Sequence, residues 1–182
     1  MSLFENRLRV RSAATTLGEF LSLHKDNELY LDADYQRPYV WTADHRQALL
    51  RSIFNNQPID SVSVVYNPRT PNRYCEVVDG KQRITSLVMY HNGEFSYTDH
   101  DGAQYYFEDL CKPDKIGFRQ TRLTSNELMS FNEEPVSEKD KLEYFLQKNF
   151  GGVAQSDEHK KLVEGMYLEA TGNKAQSAKS GA

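Results

Sequence analysis

Leu17, Phe20, Leu21 and His24 fall on one helical face, and Thr16 with Glu19 three residues on supplies a capping box at its start. A second apolar stripe, Leu49, Leu50, Ile53 and Phe54, predicts a helix from Thr42-Ala43-Asp44-His45 to Asn55-Asn56-Gln57-Pro58. Between them, Pro38 forbids a regular helix over Tyr35 to Trp41 and biases Arg37 toward extended backbone. Residues 28–31 read as a short strand. Residues 60–66, with Val62, Val64 and Val65, and residues 74–78 read as longer ones, joined by the turn Asn67 to Asn72. Asp79-Gly80 breaks the second run. Gln82 to His91 then reads as a helix, with Asn92-Gly93 as its C-cap. Residues 94–98 and 104–107, around Asp99-His100-Asp101-Gly102, predict a β-hairpin.

Further on, residues 110–136 are ambiguous, with strand character near 119–124 and 128–131. Residues 137–148 and 156–170 read as helices, with Leu142, Phe145 and Leu146 inward on the first. Residues 1–13 look loosely ordered, and the small polar end from Thr171 looks disordered. The expected fold class is α/β (α+β): a small mixed sheet with flanking helices and a helical C-terminal portion from about 137. One domain is expected over residues 1–170, with a tail over 171–182.

Composition narrows the function classes. The 182 residues include 11 Tyr and 9 Phe, enough bulk for a core. No run approaches the roughly 20 apolar residues of a membrane span. Met1-Ser2-Leu3-Phe4-Glu5 lacks the charged-then-apolar order of a signal peptide. Cys75 and Cys111 stand far apart without ligand-like spacing, so a cytoplasmic protein with inert thiols is expected, and no membrane partner. A net charge of −4 argues against wholesale wrapping of nucleic acid. Arg7, Arg9 and Arg11 form a small alternating cluster that reads either as a solvated arm or as a local basic site.

The densest chemistry lies at Val78-Asp79-Gly80-Lys81-Gln82-Arg83. The order strand, tight turn, helix aims the free N–H groups of a helix start at whatever sits above the strand's end, and these favour an anion. Arg83 adds a fork of donors suited to phosphate, Asp79 a carboxylate for a metal or a water, and Gln82 both donor and acceptor. The structural alternative is ordinary turn chemistry, with Asp79 as a cap and Arg83 as a surface ion pair. In Tyr35-Gln36-Arg37-Pro38-Tyr39-Val40-Trp41 a basic group is interleaved with aromatics, as phosphate binding and base stacking require. Trp41 reads rather as a core anchor. His100 with its acidic neighbours reads as a hydrophilic turn before a metal site.

Taken in order, Thr16-Leu17-Gly18-Glu19-Phe20, Tyr35 to Trp41, Asn56-Gln57-Pro58-Ile59 and Val78 to Leu87 resemble the N-terminal domain of GmrSD-type restriction enzymes. That family is a branch of the ParB/sulfiredoxin-like superfamily, with the pattern Y-Q-R-x-Y-x-W followed by D-G-Q-Q-R. Here Lys81 replaces the first Gln of the second motif. Phe145 to Gly152 matches the later F-x-x-x-N-x-G-G element, and the resemblance spans residues 15–165.

The resemblance implies a nucleotide-binding, NTP-hydrolysing domain that gates DNA cleavage in a restriction-modification or phage-related setting. It implies catalytic roles for Asp79, Gln82 and Arg83, with Mg²⁺ on Asp79. Gln36, Arg37, Gly80, Lys81, Arg83 and Thr85 would hold the phosphates, and Tyr35 and Tyr39 would stack on the base. None of His24, His45, His91, His100 or His159 starts the H-x-x-P signature of the nuclease domain in such enzymes. Two other readings stand beside an NTPase. One is a DNA-binding module, for modified or unmodified DNA, using the same arginines. The other is a non-catalytic domain that acts on a partner such as a nuclease or a host defence protein.

Overall fold

The computed structural model describes residues 8–130, 135–150 and 157–171. Among these, seven strands and six α-helices alternate along the chain, as a mixed α/β protein. The contacts divide the chain into two compact units, one of residues 9–129 and a second that contains the last two helices.

The first unit is built on a five-stranded sheet. Its strands are β1 (Leu8–Thr16), β2 (Leu29–Tyr30), β3 (Val62–Tyr66), β4 (Cys75–Asp79) and β7 (Arg122–Ser130), in the order β1-β7-β3-β4-β2. β3 and β4 pair antiparallel, with an irregularity in register between Ser63 and Val64. β2 runs parallel to β4, and β7 parallel to β3. β5 (Tyr97–Thr98) and β6 (Gln104–Tyr105) form the separate hairpin expected around Asp99 to Gly102, though each strand is only two residues long.

The helices α1 (Leu17–Lys25), α2 (Ala43–Phe54) and α3 (Lys81–His91) follow the expected periodicity. Thr16 caps α1 as its sequence requires: its hydroxyl accepts from Glu19 N at 3.2 Å, and its own N–H donates to Glu19 Oε2 at 2.6 Å. Leu17, Phe20, Leu49, Leu50, Ile84 and Leu87 close over Val62, Val64 and Val77 in a single apolar core. Four aromatic rings extend it. Tyr90 meets Phe107 edge-on at 6.1 Å and Phe118 at 5.4 Å, and Phe54 lies 6.2 Å from Tyr90. Cys75 sits in the same core, where burial pushes its thiol up to about 12.

Two expectations for this unit are corrected. Residues 8–13, expected to be loose, form β1 together with residues 14–16, and the exposed Arg11 is ion-paired there with Glu127 of β7. The ambiguous stretch after residue 110 holds a helix, α4 (Lys112–Gln120), followed by the unbroken strand β7. α4 buries only Phe118 and carries Gly117 and Pro113, so it offers almost no apolar period to read.

In the second unit α5 (Glu138–Phe150) and α6 (Asp157–Ala170) pack together, with Phe145 edge-on to His159 at 6.0 Å. The helical portion thus starts where the sequence places it. Arg7, Phe131, the Gly151-Gly152 pair and the expected tail from residue 172 lie outside the described residues.

Candidate phosphate-binding site

The site is assembled where β4 passes into α3. Gly80 makes the turn at φ +102°, a conformation that glycine alone enters without strain. Space excludes a side chain as well: a Cβ there would stand 2.7 Å from Val62 Cγ1 and 3.2 Å from Arg83 Nη2. Gly80 is the N-cap of α3 and has no side chain with which to cap the first-turn N–H donors.

The two motifs meet here, and glutamines join them. Gln36 Nε2 donates to the carbonyls of Val77 and, at 2.9 Å, of Val78, gripping the end of β4. In return, Gln82 from α3 grips the loop. Its Oε1 accepts from Val40 N at 2.8 Å and Trp41 N at 3.2 Å, and its Nε2 donates to Pro38 O at 3.1 Å. Tyr39 Oη lies 2.8 Å from Ser86 Oγ, and Lys81 Nζ donates to Asp32 Oδ1 at 2.9 Å. The side chains of Gln36, Tyr39, Lys81 and Gln82 therefore hold residues 32–41 against the end of β4 and the start of α3.

Several expected roles change on this geometry. Gln82, expected at a phosphate, is 9% exposed, and both its polar atoms are engaged by the loop. Gln36 is likewise committed to β4. Tyr35, expected to stack on a base, is 1% exposed and donates from Oη to Glu76 Oε1 at 2.8 Å, so no ring face is open. Tyr39 is half-buried and tied to Ser86. Thr85 buries its hydroxyl oxygen away from solvent, without a partner among the described residues.

Arg83 bends back to the sheet. Its Nη2 donates to Ser61 O at 2.7 Å and lies 3.5 Å from Asp79 Oδ2, while Nη1 is 3.7 Å from Asp60 Oδ2. The Asp79 and Arg83 side chains are each 17% exposed, and the Arg83 Nε has no partner among the described residues. Ser61 is fixed in turn by Asn126 Nδ2 at 3.1 Å. Arg37 differs from all of these: it is exposed and makes no hydrogen bond or ion pair among the described residues.

Further along the loop, Trp41 is half-buried against the core, and the exposed His45 ring lies over it, with centroids 5.7 Å apart and planes 21° apart. The His45 ring is held in place. Its Nδ1 sits 2.8 Å from Thr42 Oγ1 and accepts from Thr42 N at 3.3 Å, as the cap of α2.

The donor set at Asp79 suits one kind of metal. Asp79 belongs to no cluster of three ligating side chains among the described residues; the cluster that exists, Asp99, His100 and Asp101, lies on the exposed hairpin turn. A Mg²⁺ ion fits a single carboxylate when phosphate oxygens and waters complete its shell. A groove of about 660 Å³ lies elsewhere, between the end of α2, with Asn56, Gln57 and Pro58, and α4, with Pro113, Gly117 and Gln120. None of the expected site residues lines it.

Sequence reasoning finds Gly80, Lys81, Arg83 and Arg37 at this junction but misses Asp32, Asp60, Ser61 and Ser86. No local signal marks those four. They matter only because the fold brings them to the motif residues.

An interlocked loop and helix start of this kind define a domain organised around two short motifs distant in sequence. The chain belongs to the family of the GmrSD restriction endonuclease N-terminal domain, whose model matches residues 17–169. No curated protein matches it. Among solved structures it is similar to a Pnob8-like ParB-N domain, at 12% identity and a TM-score of 0.44, over 94% of this chain and 52% of that one. The chain thus spans about half the length of that structure.

Proposed function

We propose that this domain binds a nucleoside triphosphate by its phosphates at the start of α3 and, with Mg²⁺ on Asp79, hydrolyses it in service of a DNA-targeting defence system. The observation that carries the reading is the reciprocal grip of Gln36 and Gln82. It holds Arg37, a guanidinium without a hydrogen bond or ion pair among the described residues, on the same loop that Gln82 fastens to the helix start. Backbone N–H donors, a helix dipole and a free arginine are what a polyphosphate requires. Gln82 and Arg83 are positioning residues in this reading, and Lys81 adds positive charge at the first helical position. The defence setting rests on family membership.

Mg²⁺, once bound, would neutralise phosphate charge as the terminal phosphoryl group departs. The chain's own part is to fix Asp79 through Arg83 and to present Arg37. The test is a thermal-shift panel of nucleotides with and without Mg²⁺, followed by phosphate release. The native chain should gain melting temperature with at least one triphosphate, by linkage. Arg37→Ala should lose that gain while melting normally without ligand, and Asp79→Asn should lose turnover. The reading fails if no triphosphate stabilises the protein, or if Arg37→Ala binds as well as the native chain.

A further inference from the structure

We infer that the Trp41–His45 stack is the platform for the nucleobase of that nucleotide. The inference rests on the phosphate-binding reading and adds to it the group that holds the other end of the ligand. Of the rings that the motif offers first, Tyr35 is buried on Glu76, and Tyr39 is half-buried with its hydroxyl tied to Ser86. Trp41 and His45 are different. Their rings lie 5.7 Å apart and 21° from parallel, and His45 is exposed, so its outer face is open.

Position supports the role. Gln82 touches the carbonyl of Pro38, next to Arg37, and the N–H of Trp41 with the two ends of one amide. Arg37 and Trp41 therefore belong to one loop that Gln82 anchors to the start of α3. The inference places the phosphates of one ligand at Arg37 and the helix N–H groups, and its base on the ring pair of the same loop. The His45 ring is fixed by Thr42, so a base landing on it finds a prepared surface and loses little freedom there. With Nδ1 accepting from Thr42 N, the neutral ring carries its proton on Nε2, at the edge of the stack. Trp41 beneath extends the stack to three layers: base, imidazole, indole. Stacking reads the face of a base rather than its edge, so it tolerates any of them.

Trp41 is the one tryptophan of the chain, so its emission reports on this surface directly. ATP and inorganic tripolyphosphate are titrated into the native chain, His45→Ala and Trp41→Leu, with emission and calorimetry as readouts. In the native chain ATP should change Trp41 emission and tripolyphosphate should not. His45→Ala and Trp41→Leu should each weaken ATP about tenfold and leave tripolyphosphate affinity unchanged, a split that a merely structural role would not produce. His45 lies on the surface, which keeps that arm independent of the core. ATP binding without a change in emission overturns the inference, as does a loss shared equally by both ligands. If neither ligand binds, the phosphate reading itself has failed and the inference falls with it. If tripolyphosphate binds and ATP gains nothing over it, only the platform is wrong.

Discussion

Gly80 carries the tightest constraint in the site. Its φ of +102° and the 2.7 Å approach of Val62 to any added Cβ act together. Gly80→Ala should therefore cost about 2–3 kcal/mol, read as a lower midpoint in urea unfolding with an unchanged slope. Such a glycine is legible from sequence alone, because Asp-Gly between an apolar run and a helical period has few other uses. The partners of Arg83 are not legible. Ser61 O and Asp60 lie 22 and 23 positions upstream and carry no pattern that singles them out. The same limit applies to Tyr35 and Trp41. Both are aromatics in one seven-residue motif, and burial alone separates the closed ring from the half-open one.

At the scale of elements, the loop and α3 hold each other through side chains rather than backbone pairing. Removing the Gln82 amide leaves Val40 N, Trp41 N and Pro38 O without their partners. Three hydrogen bonds of ordinary worth put the loss from Gln82→Ala at about 2–3 kcal/mol. The sharper readout is hydrogen exchange: the Val40 and Trp41 amides should exchange much faster in the variant, while amides in β4 keep their protection. The elements with strong local codes are the ones the sequence announces. The box at Thr16, the stripe along α2 and the break at Asp79-Gly80 each combine a period with a terminator. β1 escapes such reading because its residues are mostly exposed, with Arg9 and Arg11 on either side of an exposed Val10, so it resembles an arm. Only its neighbour β7 makes it a strand, and that pairing spans most of the chain.

For the whole molecule, acid should weaken the fold through His91. Burial foremost lowers its pKa from the ordinary 6.5, and the nearby positive charge of Arg119 and His24 adds to this; the Asn92 hydrogen bond and Glu108 act the other way. The unfolded chain thus takes a proton at His91 at a pH where the folded one does not. Stability from this group is present above 6.5 and falls as pH drops toward the lowered folded value. The melting temperature should decline through that window, and His91→Phe, which keeps a ring beside Phe107, should flatten the decline.

The strand order has a consequence for how the molecule is made. Among the described residues β1 is made before the other strands of its sheet, yet its neighbour there is β7, the one made last. The hairpin of β3 and β4 can form early, and both motifs at the start of α3 are synthesised before β7 exists. β1 must wait, unpaired, for more than a hundred residues. Closing so long a loop is an entropic burden borne late in folding. Refolding should therefore show a rapid phase that assembles the loop and α3, and a slower one in which the amides of β1 gain protection last.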